Sequence, residues 1–250
     1  MSEDKSRNKS CWDRFGYKAL ISFTGYPERV KGIMSEFSRV GMSGVNVHYG
    51  FPTPFNRVLI NALPHDGPVN SEATMSCAMN HYAVVKTAYC LGYESCLVME
   101  DDIRFLNDVD EIRKTVEALP DDFDIALFDL IPIAINVDVK RLRRDERVND
   151  RWFRYHNMRS MACYAFSRRM MERFIWLNEA AATDPAVGFL RPNDHFLDQV
   201  YHLPGMNIYG AMENIAVQRM IGDSINNKNN CYAGLYRQIG IDLSKYKEAQ

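Results

Sequence analysis

The sequence predicts an α/β fold in which a mostly parallel central sheet is flanked by helices, within a single domain spanning residues 1–250. Short β-prone runs alternate with amphipathic helical patterns through the first half of the chain, as in βαβ units. A length of 250 residues and a hydrophobic content of 46% suffice for a sizeable core. No internal repeat or long linker divides the chain, and the segments 1–15 and 226–250 are expected to be loose ends.

Periodicity places the elements of the first half. The helix beginning at Pro27 carries its apolar residues on one face and ends before Gly41, and the long helix ending at Gly92 shows a comparable apolar stripe. In order, we predict a strand at 17–23, a helix at 27–41, a strand at 45–51, a weaker strand at 57–63, a helix at 71–92 and a strand at 95–99.

Strands and helices continue to alternate in the second half, which begins with a helix that Pro120 ends. We predict a helix at 111–119, strands at 124–130 and 160–167, helices at 168–182 and 191–203, and a late strand region at 206–219. The segment 138–156 is dense in charge and has no clear period, so it is predicted to be a surface loop or a mobile lid.

Composition narrows the class of protein. The chain has 30 basic and 32 acidic residues, and this balance gives no support to bulk nucleic-acid binding. No apolar run approaches the roughly 18 residues of a membrane span, and the polar start is unlike a secretory signal. The six cysteines form no CxxC pair, and a reducing cytoplasm fits them best. Four of them lie among apolar residues and are predicted to be buried thiols: Cys77, Cys90, Cys96 and Cys163.

Three acids, Glu100, Asp101 and Asp102, directly follow the apolar run 96–99 of the predicted strand 95–99. Ligands of open α/β sheets gather beyond the carboxyl ends of the strands. Like charges at such a place repel unless a divalent cation neutralises them, and clustered carboxylates are ligands that Mg²⁺ and Mn²⁺ prefer. On an extended chain Glu100 and Asp102 would point one way and Asp101 the other. The alternative is that the three acids form a solvated strand terminus.

The order of residues around these acids supports the first interpretation. Cys77, the pair Asn80-His81 and the acids 100–102 resemble glycosyltransferase family 25, the lipopolysaccharide and collagen galactosyltransferase type. That family has a helix carrying a Cys and a Ser-His pair, followed by an apolar strand that ends in Glu-Asp-Asp. Asn80 stands here where Ser is usual.

Further segments extend the resemblance over most of the chain: "ALISFTGYPERV" at 19–30, "MACYAFSRRMMERFI" at 161–175 and "NIAVQRMIGDSI" at 214–225. The resemblance implies a GT-A-type fold, Rossmann-like in its nucleotide-binding half. It also implies transfer of a sugar from a nucleotide-sugar donor, with a UDP-sugar favoured, to a glycan, lipid-linked or protein acceptor with inversion. A metal such as Mn²⁺ or Mg²⁺ would neutralise the departing nucleoside diphosphate.

Site roles follow from this resemblance. Asp102 is predicted to be the main metal ligand, with Glu100 assisting through the ribose or a bound water, and Asp101 is predicted to lie in the donor site. The residues Phe23, Thr24, Arg29 and His81 are also predicted to lie at the donor nucleotide. Arg29 could pair with phosphate. His81 could contact the diphosphate or orient an acid, and the alternative is a satisfied core histidine.

An inverting transfer also needs a base near the acceptor hydroxyl. Asp194 and Asp198 lie four residues apart on the predicted helix 191–203, and the family has a late acidic segment facing the donor sugar. Asp194 is predicted to be the base and Asp198 the second candidate. The alternative role for Asp194 is that of a helix cap.

Two other classes of function remain open at this point. One is a metal-dependent phosphohydrolase, although "EDDIR" lacks the Asp-x-Asp followed by Thr of the haloacid-dehalogenase pattern. The other is a non-catalytic protein that binds a nucleotide sugar or a carbohydrate. The basic run Lys140, Arg141, Arg143 and Arg144 is either a solvated loop or a surface that attracts an anionic acceptor or a membrane. The expected location is cytoplasmic, with peripheral membrane contact as an option.

Overall fold

The computed structural model describes residues 10–22, 27–50, 72–132, 139–154, 158–159, 161–183, 204–218, 236–237 and 239–246. Its strands are β1 Tyr17–Ser22, β2 Val45–Tyr49, β3 Ser95–Glu100, β4 Ile103–Phe105, β5 Ile125–Leu127, β6 Ile131–Pro132, β7 Trp152–Arg154, β8 Met158–Arg159, β9 Cys163–Ser167, β10 Ile208–Ala211 and β11 Ala216–Gln218. Its helices are α1 Pro27–Arg39, α2 Glu72–Cys90, α3 Val109–Glu117, α4 Val139–Asp145 and α5 Arg168–Thr183, with 3₁₀ turns at Cys11–Arg14 and Leu243–Lys245.

The main sheet has seven strands in the order β2-β1-β3-β9-β5-β10-β7. Strands β2, β1, β3, β5 and β10 point the same way, and β9 and β7 run against them. The predicted mixed α/β class with a mostly parallel central sheet is therefore confirmed. Two small antiparallel pairs, β4 with β11 and β6 with β8, lie outside this sheet.

The central strands are buried because helices cover the sheet. Every residue of β1 is buried, and only the last residue of β3, Glu100, is partly exposed. Helix α1 buries Ile33 and Phe37, and helix α2 packs against α5, β1 and β3. Near-continuous apolar strands of this kind are typical of a sheet covered on both faces. The buried hydrophobic side chains of the described residues join in one core cluster.

The segment 138–156 is only in part the surface loop that its charge predicts: residues 146–151 form a largely exposed loop, whereas 139–145 are a helix and 152–154 a strand. It contains α4 and the edge strand β7, and Trp152 and Phe153 of β7 are fully buried. The indole Nε1 of Trp152 donates to the Thr115 carbonyl at 2.9 Å. The charges of α4 pair with each other on its exposed side, as Arg141 does with Asp145 at 3.2 Å. The apolar strand β7 is only three residues long and is flanked by charged residues, so the sequence pattern did not predict it.

Parts of both expected loose ends are also packed. Trp12 is fully buried and its indole Nε1 donates to the Val40 carbonyl at 3.0 Å. Tyr236 and Tyr246 are buried as well, and Leu106 forms an isolated bridge with Tyr246. The expectation for 1–15 and 226–250 is therefore wrong for residues 10–15, 236–237 and 239–246, because aromatic side chains there enter the core. The predicted strand 57–63 and helix 191–203 lie outside the described residues.

The described cysteines, Cys11, Cys77, Cys90, Cys96 and Cys163, are all free thiols. Cys96 and Cys163 are buried as predicted, Cys77 is partly buried, and Cys90 is exposed at the end of α2. The prediction for Cys90 is wrong because Ala88 is the residue of the last turn of α2 that is buried in the core, and Cys90 lies on the exposed side of that turn. Among the described helices, none combines the length and the apolar character needed to cross a bilayer.

A buried carboxylate joins three elements at the opposite edge of the sheet from the acids. Asp124 is 1% exposed and accepts hydrogen bonds from Arg169 Nε at 2.7 Å, Ser167 Oγ at 3.3 Å and the Asn207 backbone amide at 2.8 Å. These bonds connect the start of β5 with the β9–α5 junction and with the chain that leads into β10. We expect Asp124 to be a structural residue.

Replacing Asp124 by Ala should lower the free energy of unfolding by about 2 kcal/mol, because the part-buried backbone amide of Asn207 and the Ser167 hydroxyl lose their acceptor. The contribution of Arg169 is screened, since its side chain is 53% exposed. Urea unfolding measures the change. In the control Asp121→Ala, an exposed ion pair with Arg14 is removed and stability should be unchanged. An equal loss in both variants would contradict the structural role of Asp124.

Candidate active site

One edge of the sheet gathers the carboxyl ends of β1, β3, β5 and β10 and the start of the reversed strand β9. The polar residues at or just beyond these strand ends are Ser22, Glu100, Asp101, Asp102, Asp129, Cys163 and Asn214. Such an edge is where open α/β sheets bind ligands. The three acids predicted from the sequence therefore lie where a ligand-binding cleft is expected, and a fourth acid, Asp129, joins them.

Asp101 is held by β1 and α1. It is 5% exposed, and its carboxylate accepts from Ser22 Oγ at 2.6 Å and from Arg29 Nη1 at 3.4 Å. Burial raises the pKa of Asp101, while the Ser22 hydrogen bond and the Arg29 charge act to lower it. Arg29, predicted to bind phosphate, thus lies beside the acids with its side chain only 15% exposed. Both oxygens of Asp101 are engaged by the protein.

Glu100, the last residue of β3, is held by α2 and β11. Its Oε1 lies 3.1 Å from His81 Nε2 and 3.7 Å from Cys77 Sγ, and its Oε2 accepts from Gln218 Nε2 at 3.3 Å. The antiparallel pairing of β4 with β11 places Gln218 opposite Ile103 and therefore close to this carboxylate. The orientation of Glu100 is consequently fixed from both sides.

His81 fits both of its predicted interpretations in part. It is fully buried, its Nδ1 lies 3.0 Å from the Tyr164 hydroxyl, and the two rings are stacked with centroids 5.7 Å apart. It is therefore a satisfied core histidine. At the same time its Nε2 faces the carboxylate of Glu100, which makes it a residue that orients an acid.

Asp102 lies in the turn between β3 and β4 and is the least compensated of the acids. The residue is half-buried, yet its Oδ1 atom is shielded from solvent and has no hydrogen-bond partner among the described residues. Burial, and then the charges of Glu100 and Asp101, raise its pKa to about 8, against a small opposing effect of Arg29. An unpartnered carboxylate oxygen of this kind is costly unless something outside the chain neutralises it.

The fourth acid belongs to a network that sequence reasoning missed. Asp129 is fully buried and accepts from Asn214 Nδ2 at 3.1 Å and from the Tyr236 hydroxyl at 2.9 Å. The Tyr236 hydroxyl in turn accepts from the backbone N–H of Gln218 at 2.8 Å. Burial raises the pKa of Tyr236 well above its ordinary value. Asp129 could have been noticed by the signal that singled out residues 100–102, since it too follows an apolar strand run.

The structure brings together five of the predicted site residues at this edge: Arg29, His81, Glu100, Asp101 and Asp102. The other predicted site residues, Phe23, Thr24, Asp194 and Asp198, lie outside the described residues.

The acids present fit a hard divalent cation. The observation that supports this fit is the shielded Oδ1 of Asp102, a potential metal ligand that has no hydrogen-bond partner among the described residues. Further negative charges lie around it. Mg²⁺ and Mn²⁺ are bound through one or two carboxylates of this kind together with water and phosphate oxygens. Asp102 is therefore the residue that would hold such an ion, and Glu100, whose charge has the largest electrostatic effect on the pKa of Asp102, is the candidate helper.

Comparison with known proteins places the chain only loosely. No protein-family profile and no curated protein sequence matches it. Among solved structures it is similar to a glycosyltransferase involved in glycosylation of the major capsid of PBCV-1, at 10% identity and a TM-score of 0.43, over 85% of this chain and 96% of that one. At these values the likeness gives no evidence about activity.

Two other solved structures show similar values. One is the galactosyltransferase LgtC in complex with donor and acceptor sugar analogs, at 9% identity and a TM-score of 0.41, over 88% of this chain and 93% of that one. The other is the inositol-1-phosphate CTP transferase from T. maritima, at 13% identity and a TM-score of 0.45, over 91% of this chain and 98% of that one.

In the metal-free protein, Asp102→Asn should raise the free energy of unfolding at pH 8, by more than about 1 kcal/mol. The folded-state pKa of Asp102 is raised from an ordinary value near 3.8 to about 8, so its ionised form opposes folding. This penalty is absent below pH 4, grows between pH 4 and pH 8, and is complete above pH 8. The gain in the variant should follow the same course.

Urea unfolding in EDTA across this pH range measures the gain. The exposed residue Asp150, with a side chain 87% exposed, supplies the control Asp150→Asn, which should show no such dependence. A difference between wild type and Asp102→Asn that stays constant from pH 5 to pH 8 would mean that the Asp102 carboxylate is not desolvated.

Proposed function

We propose that this chain is a metal-dependent glycosyltransferase of the hexosyltransferase type. It moves a sugar from a nucleotide-sugar donor, in the first place a UDP-sugar, to a hydroxyl of a glycan, lipid-linked or protein acceptor, with inversion. The observation that supports this most is the Asp102 carboxylate, half-buried and without a hydrogen-bond partner on Oδ1 among the described residues, at the carboxyl edge of the sheet. The resemblance of residues 75–105 to glycosyltransferase family 25 supports the class of reaction.

Electrostatics connects the acids to a nucleotide donor. A diphosphate placed against Glu100, Asp101 and Asp102 would be repelled by their combined negative charge. Asp102 would hold a divalent cation that removes this obstacle, and such an ion would act as a Lewis acid that neutralises the charge of the departing nucleoside diphosphate. In this proposal the acids hold the ion, and the charge of the ion offsets the repulsion between the acids and the diphosphate of the donor.

The other residues of the edge position Asp102 and the donor. Asp101 uses its oxygens on Ser22 and Arg29, so it fixes the turn and keeps a guanidinium beside the acids, where phosphate oxygens would lie. Glu100 is held by His81 and Gln218, and in this proposal it contacts the donor ribose or a bound water. Arg29 and Glu100 therefore bind the donor, and Asp101 is a positioning residue.

The proton of the acceptor hydroxyl requires a base on the opposite side of the donor sugar from the leaving group. Asp194 is the proposed base, with Asp198 as the second candidate, because both lie in the late acidic segment "NDHFLDQV". Deprotonation by a carboxylate strengthens the nucleophile as the bond to the diphosphate breaks.

The central test is Asp102→Asn. Wild-type protein should release nucleoside diphosphate from a UDP-hexose in the presence of Mn²⁺, and the variant should do so at least about 100-fold more slowly. Thermal unfolding with UDP-sugars and Mn²⁺, separately and together, should show the largest stabilisation for the pair in wild type only. A donor at about 100 times its Kd stabilises by about 2.7 kcal/mol.

The control is again Asp150→Asn, which should keep full turnover. Undiminished turnover in Asp102→Asn would overturn the assignment of the metal ligand. Release of inorganic phosphate from simple phosphoesters would indicate a phosphohydrolase instead. Tight binding of a UDP-sugar with no turnover on any hydroxyl acceptor would indicate a binding protein.

A separate test concerns the base. Asp194→Asn should keep donor-induced stabilisation and its own melting temperature while losing transfer to acceptor by about 100-fold or more, because general bases contribute factors of this size. Asp198→Asn is the matched comparison. If Asp194 were a helix cap, Asp194→Asn would change the melting temperature and leave turnover and its pH profile intact.

A further inference from the structure

Three side chains of different chemistry meet beside the acid edge, on the side facing α2. Cys77 Sγ, His81 Nε2 and Glu100 Oε1 all lie within 4.8 Å of one another. We propose that these three atoms form a binding site for a thiophilic divalent ion of the zinc class, separate from the ion held by Asp102. The proposal stands on this donor set and does not require the chain to be a glycosyltransferase.

The distances suit a tetrahedral ion. Zinc lies about 2.3 Å from sulfur and about 2.0–2.1 Å from nitrogen or oxygen, which separates its nitrogen and oxygen ligands by about 3.3 Å and its sulfur and oxygen ligands by about 3.5 Å. Here His81 Nε2 is 3.1 Å and Cys77 Sγ is 3.7 Å from Glu100 Oε1. The third edge, between the Cys77 sulfur and the His81 nitrogen, is at most 4.8 Å.

The backbone holds these donors in place. Cys77 and His81 are one helical turn apart on α2 and therefore share a face of the helix. Glu100 ends β3, against which α2 packs, and Gln218 fixes its second oxygen. A site built on a helix and a central strand is more rigid than one built on loops.

Tyr164 prepares His81 for coordination. A carboxylate can only accept, so with a single proton on the His81 ring the Nε2–H would donate to Glu100 and Nδ1 would accept from the Tyr164 hydroxyl. Coordination through Nε2 needs the other tautomer, with the proton on Nδ1. The Tyr164 hydroxyl serves both states because it can donate or accept, and a hydrogen bond of this kind orients metal-bound histidines.

Ion binding also requires the thiolate form of Cys77. The thiol proton, which points to Glu100 in the metal-free protein, passes to solvent as the sulfur–metal bond forms, and no oxidant or reductant is involved. Three protein ligands leave a fourth position open for water or a ligand. The Glu100 side chain is 25% exposed, so solvent can reach this position.

The donor set determines which ion is preferred. Sulfur and imidazole nitrogen favour Zn²⁺ and Co²⁺, whereas the carboxylate oxygen of Asp102 favours Mg²⁺ and Mn²⁺. Glu100 can contribute to both, but Cys77 belongs only to the first set and Asp102 only to the second. Substitution of Cys77 or of Asp102 therefore separates the two sites.

Cobalt(II) spectroscopy of the full chain, freed of metal with a chelator, tests the site. Wild-type protein should bind Co²⁺ with a thiolate-to-cobalt charge-transfer band in the near ultraviolet and intense visible bands of tetrahedral Co²⁺, and Zn²⁺ should abolish both. Cys77→Ser and Cys77→Ala should lose the charge-transfer band and bind at least about 10-fold more weakly. The matched control is Cys90→Ser, an exposed thiol on the same helix, which should keep both properties.

Asp102→Asn separates this proposal from the proposed function. It should keep the cobalt–thiolate band while losing the Mn²⁺-dependent release of nucleoside diphosphate. Absence of a charge-transfer band in wild type, or its retention in both Cys77 variants, would overturn the site and show that the three side chains only hydrogen-bond. Circular dichroism of the Cys77 variants confirms that a lost band does not reflect unfolding.

Discussion

Repulsion among carboxylates at one edge of the sheet is the constraint around which this part of the molecule is built. Charge removed from water costs several kcal/mol unless it is paired or hydrogen-bonded. Asp101 is compensated by Ser22 and Arg29, and Asp129 by Asn214 and Tyr236. These partners come from β1, α1 and the C-terminal part of the chain, so the packing of those segments also depends on the acids.

The topology explains why the acids meet at all. Parallel strands bring their carboxyl ends to the same edge, and the reversed strand β9, inserted between β3 and β5, adds its first residues there. The short pair β4–β11 then returns the chain so that Gln218 bonds Glu100. The edge is polar because strand ends can face solvent or ligand, whereas the strand centres are buried in the core.

Local patterns in the sequence predicted the elements that depend on neighbours along the chain. The apolar stripe of α1, the existence of helix α2 and the position of the acid run 100–102 are of this kind. The partners of the acids depend on contacts over long separations, such as 107 residues between Tyr236 and Asp129 and 118 residues between Gln218 and Glu100. Local periodicity carries no signal for such pairs. Trp152 was missed for a related reason, because the charges around it hid a three-residue strand.

Glu100 links the two kinds of chemistry at this edge. Its Oε1 faces the Cys77 thiol and the His81 imidazole, and its Oε2 faces the side-chain amide of Gln218. After burial, the charge of Glu100 is the largest cause of the raised pKa of Asp102. Any ion that recruits Oε1 changes the field at Asp102, so two ions here would not bind independently. Substituting Glu100 would disturb both donor sets at once. Cys77 is therefore the residue that belongs only to the zinc-class site, and Asp102 is the residue that belongs only to the Mg²⁺ or Mn²⁺ site.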